Sequence, residues 1–94
     1  MVLVFEAQGT AMYITVTEDR KLLLKTERTG DFVNFVDYIS ASGKVTVQDT
    51  SKIDMMEYIL SLLPLDKLEE YITIELQSIG FIRVGKKIDG IGII

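Results

Sequence analysis

Leu76-Gln77-Ser78-Ile79-Gly80-Phe81-Ile82-Arg83-Val84 is the stretch on which the reading of this chain turns. Glycine takes up the left-handed conformation that closes a helix without steric cost, so Gly80 marks a helix end. The β-branched and aromatic run after it, Phe81 to Val84, predicts a strand. Upstream, Leu65, Leu68, Ile72, Leu76 and Ile79 keep a helical period, and Asp66 is placed to cap the start. Tyr71-Ile72-Thr73-Ile74 alternates like a strand, but the two caps favour a helix over the whole segment. Downstream, Gly85-Lys86-Lys87 reads as a turn and Ile88 to Ile94 as a returning strand, which together make a β-hairpin.

Working back towards the N-terminus, Pro64 stops another helix, since proline lacks the amide proton a helix needs. Thr50 or Ser51 opens it, and Asp54 lies three residues beyond Ser51 as in a capping box. Its apolar positions are Ile53, Met56, Ile59, Leu60 and Leu63. Lys44 to Gln48 predicts a short strand. Before it, Phe32, Phe35, Val36 and Ile39 fall on one face of a helix that Thr29 or Asp31 caps and Gly43 ends.

Residues 1–28 have a different period. Residues 2–7 read as a buried strand, residues 11–17 alternate every second position, and residues 21–27 make a third strand, with polar turns at 8–10 and 18–20. Short connections predict a three-stranded antiparallel meander. Val2, Val4, Leu22 and Leu24 are expected to pack on the helices or on another copy, leaving Leu3, Phe5 and Leu23 outward. An apolar outer face or a free strand edge there would suit a homodimer. The fold class is therefore α+β, one domain over 1–94, with a β-meander extension (1–28) and a helical unit (31–94) that meet near Thr29-Gly30.

The helical unit, helix, short strand, helix, helix and hairpin, resembles a winged helix-turn-helix domain. The resemblance runs from about Asp31 to Ile94. It rests on the segments 32–39 and 43–47, and above all on Leu76-Gln77-Ser78-Ile79-Gly80-Phe81-Ile82-Arg83, with Asp89-Gly90-Ile91-Gly92 as the return strand of the wing. The segment 49–64 is longer than the family's second helix and turn, and the meander is an addition to it. The resemblance implies either DNA binding or, as in many transcription, replication and cell-division assemblies, protein binding.

Bulk properties narrow the choice. The 94 residues include no cysteine and no histidine, which removes disulfides, thiol nucleophiles, imidazole chemistry and Cys/His metal sites. The acidic residues lack metal-loop spacing. Asp54 with Glu57, and Glu69 with Glu70, are the paired carboxylates on single elements. Adjacent residues 69 and 70 point about 100° apart on a helix and cannot easily share a substrate. Residues 54 and 57 are expected in an open, solvated setting that does not suit acid catalysis. An enzyme is not expected, nor is a cofactor or metal. A hydrophobic fraction of 48% with 26% charged residues is that of a compact globular chain. Without a membrane-spanning run or a leader signature, the expected setting is cytoplasmic.

Charge separates the two binding readings. The third helix carries Asp66, Glu69, Glu70 and Glu75 against Lys67 alone, on the surface a DNA-binding relative would offer to a polyanion. With a net charge of −4, the chain is expected to act as a non-catalytic interaction or adaptor module for a protein partner, a basic one suiting it best. The candidate contacts are Glu69, Glu70, Tyr71, Thr73 and Glu75. The alternative is a DNA-binding regulator that touches the backbone through Arg83, Lys86 and Lys87, helped by Lys44.

Overall fold

The computed structural model describes residues 1–42 and 47–87. Strands β1 (Val2–Ala7), β2 (Thr10–Val16) and β3 (Leu22–Lys25) pair antiparallel in sequence order. The first connection is a two-residue turn with Gln8 at φ 52° and Gly9 at φ 77°. Two positive φ angles in a row match the right-handed twist of the strands they join. After β3, Thr26 and Thr29 bond each other reciprocally: the amide of Thr26 donates to Thr29 Oγ1 (2.8 Å) and the amide of Thr29 to Thr26 Oγ1 (3.2 Å). That leaves the buried Thr26 hydroxyl satisfied.

A two-residue strand, β4 (Val33–Asn34), then pairs with β3 and leads into α1 (Phe35–Ser42). Helix α2 covers Val47–Leu60, a single 3₁₀ turn follows at Leu65–Lys67, and α3 covers Leu68–Ser78. The last described strand, β5 (Ile82–Lys87), returns to pair with β1. Among the described residues the sheet therefore has five antiparallel strands, in the order β4-β3-β2-β1-β5.

Gly80, at φ 100°, closes α3. The amide of Gly80 donates to the carbonyl of Gln77 (3.2 Å) and that of Phe81 to Leu76 (3.0 Å), the paired bonds of a Schellman cap. The cap turns the chain so that Phe81 enters the core. Its ring meets Phe35 at 5.8 Å and Phe5 edge-on at 6.4 Å, joining α1 to the N-terminal strand. One cluster holds Leu3, Phe5, Ile14 and Leu24 from the sheet with Ile39, Met56, Leu60, Ile72 and Leu76 from the helices. Residues on both sides of Thr29-Gly30 thus share a core.

Several local expectations are corrected. Helix α1 begins at Phe35, because Val33 and Asn34 are drawn into the sheet and Asn34 Oδ1 accepts the amide of Asp37 as the cap (3.0 Å). Asp31 instead accepts the amide of Phe32. Val47 and Gln48 belong to α2 rather than to a strand, and the rest of that expected strand lies outside the described residues. Ser51 and Asp54 consequently sit inside α2. Leu65 is exposed in the 3₁₀ turn instead of sharing the core face of α3. Gly85, Lys86 and Lys87 continue β5 and form no turn, since their backbone pairs with β1. The expected return strand of the wing, 88–94, lies outside the described residues.

The faces of β1 are also reversed from expectation. Leu3 and Phe5 point to the helices, in register with Ile14 and Met12, while Val4 lies on the far side between Tyr13 and Gly85 and is still only 2% exposed. With four apolar residues in a row, β1 gives no alternation to orient it, and its neighbours decide. Both β1 and β2 have partners on each side, so neither offers an edge to a second chain.

Candidate interaction surface

Glu69 stands in the first turn of α3 and faces β5. Its Oε1 lies 2.8 Å from Lys86 Nζ, and its Oε2 lies 2.9 Å from Arg83 Nη2. Arg83 Nη1 also donates to Thr73 Oγ1 (3.2 Å), and Thr73 Oγ1 donates to the Glu69 carbonyl (2.8 Å). The bond from Lys86 is the main cause of a carboxyl held below the ordinary glutamate value, reinforced by Arg83 and opposed by partial burial.

This arrangement depends on an irregularity in β5. Residues three apart on a regular strand point to opposite faces. Here Phe5 pairs with Arg83 and Leu3 with Lys86, so two steps along β1 match three along β5, with a shift between Val4 and Phe5. The bulge turns Arg83 and Lys86 to the same side, the side that Phe5 and Leu3 share with the helices.

The two residue sets that the sequence offers as rival surfaces therefore share one network, of Glu69 and Thr73 with Arg83 and Lys86. Of the acidic set, Glu69 and Thr73 are joined to Arg83, Glu75 lies 3.7 Å from Lys52, and Tyr71 is half-buried against the core. Burial and then the nearby Glu75 carboxylate push the Tyr71 hydroxyl above its usual range. Glu70 alone of that set is exposed and without an ion pair among the described residues. Of the basic set, Arg83 and Lys86 share Glu69; Lys44 lies outside the described residues, as does the side chain of Lys87.

The helices and the turn between them also expose large apolar side chains. Met55 is 57% exposed, Tyr58 63%, Leu62 66%, Leu65 78% and Ile74 57%. Met55 and Tyr58 lie three apart on α2, away from its buried stripe of Ile53, Met56 and Leu60, and Leu62 follows them in the turn after the helix. Lys52 reaches Glu75 and Ser78, so it marks the side of α2 that faces α3. Met55 lies one turn from Lys52 on α2, and Ile74 lies one turn from Ser78 on α3, where it lines a hollow with Asp66, Glu69, Glu70, Thr73 and Arg83. The sequence carried this signal: Met55 and Tyr58 fall off the apolar face of Ile53, Met56 and Leu60.

The far end of α2 is tied to the sheet. Arg20, in the left-handed region at φ 67°, donates from Nη1 to the carbonyls of Leu60 (3.1 Å) and Leu63 (3.0 Å). Glu57 Oε2 accepts the amide of Leu22 (2.7 Å). That bond commits Glu57 to structure and parts it from the exposed Asp54. Among the described residues no group of three or more acidic side chains is arranged to hold a metal ion, and no helix is long and apolar enough to cross a membrane.

Comparison of the chain with known protein families, curated proteins and solved structures finds no match.

Proposed function

We propose that this protein is a small non-catalytic interaction module that binds another protein through the outward face of α2 and the adjoining turn. The observation that carries this reading is the exposed group of Met55, Tyr58 and Leu62, continued by Leu65. A monomer gains nothing from holding large apolar side chains in water, whereas interfaces use them as anchors. The α1-α2-α3-β5 order supports a winged-helix reading in which β5 would be the first wing strand and the meander would extend its sheet. DNA binding through the wing draws less support, because Arg83 and Lys86 share the Glu69 carboxylate and have less charge to offer a phosphate.

The test is gel filtration of a clarified extract from cells that make the protein. Wild type should migrate well above its 10.6 kDa chain mass. A variant with Met55, Tyr58 and Leu62 all replaced by serine should keep its helical circular dichroism and run at the chain mass. Wild type that runs at the chain mass throughout would contradict the reading.

A further inference from the structure

Resting on the interaction-module reading, we infer that the occupant of this face is an amphipathic helix of another protein, apolar along one stripe and basic on its flanks. Met55 on α2 and Ile74 on α3 are both more than half exposed, and each lies one turn from a residue of the Lys52–Glu75–Ser78 contact that joins the two helices. Each helix also carries an acid. Asp54 lies one turn before Tyr58, and Glu70 lies one turn before Ile74; both are exposed and neither is ion-paired among the described residues. Lysines or arginines on either side of an apolar stripe would meet them.

Charge also decides against a second copy of this chain. A second copy would bring the same acidic surface against itself and join two chains of net charge −4. Lys67 is the exposed cation nearest these acids in sequence, and one lysine does not offset that excess. Lys52 is held by Glu75 and Ser78 where the two helices meet.

A labelled synthetic helix of about 18 residues, some five turns, tests this by fluorescence anisotropy. Leucines at i, i+3, i+4 and i+7 with lysines elsewhere make the probe; a second peptide has glutamate for every lysine. Wild type should bind the lysine peptide at least roughly tenfold more tightly than the glutamate peptide. Met55→Ser with Ile74→Ser leaves every charge in place and should lose about tenfold in affinity. Asp54→Lys with Glu70→Lys should invert the preference between the peptides. Equal affinity for both peptides, or binding unchanged by the serine pair, would overturn the inference. So would a concentration-dependent dimer in sedimentation, which would make a second copy the occupant. If the gel-filtration shift appears and the peptides are not distinguished, the module reading stands and the basic helix falls.

Discussion

Lys86 Nζ and Glu69 Oε1 lie 2.8 Å apart although 17 residues separate them in the chain, and Arg83 holds the other oxygen of the same carboxylate. The pairing fastens β5, and through it the N-terminal strand β1, to the first turn of α3. It also joins part of the acidic face of α3 to two cations of β5.

Replacing Glu69 with glutamine should cost about 1 kcal/mol, because all three side chains remain roughly a quarter to a third exposed and solvent screens the pairs. Urea denaturation at low and high salt checks this. The loss should shrink as salt rises.

The same pair gives a pH signature. Glu69 has a folded-state pKa below its ordinary value of 4.5, so the stability it contributes is fully present above that value. It fades as pH falls through the depressed folded-state value. Denaturation curves of wild type and Glu69→Gln should therefore differ at neutral pH and converge in strong acid. A gap that widened on acidification would show the assigned direction to be wrong.

Phe81 is the residue whose loss should harm the fold most. Phe81→Ala removes the ring between Phe5 and Phe35 and should cost about 3–5 kcal/mol in denaturant midpoint experiments. Gly80→Ala, one residue earlier, meets no atom within 4 Å, so its cost comes from backbone strain at φ 100°, about 1–2 kcal/mol.

Arg20 couples a strained turn to a helix end. Arg20→Ala keeps the left-handed backbone and removes the two bonds to Leu60 and Leu63, with an expected loss of about 1.5–3 kcal/mol. Arg20→Gly removes the same bonds and relieves φ 67°, so it should be less destabilising by roughly 1 kcal/mol. Thermal unfolding of the two variants side by side reads the difference.

The helical core was legible because it is local. Gly80 and the spacing of Leu68, Ile72 and Leu76 define the end and core face of α3 from chemistry within one or two turns, against the alternation at Tyr71–Ile74. Asp66, expected as its cap, instead lies inside the 3₁₀ turn, and α3 starts after Lys67 with no side-chain cap. Pairings across the chain were not legible. The continuous apolar run Val2–Phe5 leaves its own orientation open, and nothing near Gly85 announces that it sits beside Val4 in a bulge. The ion pairs within the expected surface were hidden for a related reason. Glu69, Thr73 and Arg83 look available one at a time, and only the β1–β5 register reveals that they are used on each other. Met55 and Tyr58 were readable as lying off the buried stripe, since helical spacing needs no tertiary information.

The most direct measurement places the photo-crosslinker p-benzoylphenylalanine at Tyr58, or as a control at the exposed Ser40 on α1, in cells that make the protein. A discrete adduct of higher mass should form from position 58 and not from 40, and should vanish when Met55 and Leu62 are also replaced by serine. Equal adducts from both positions, or none from position 58, would contradict the assignment of this face to a protein partner.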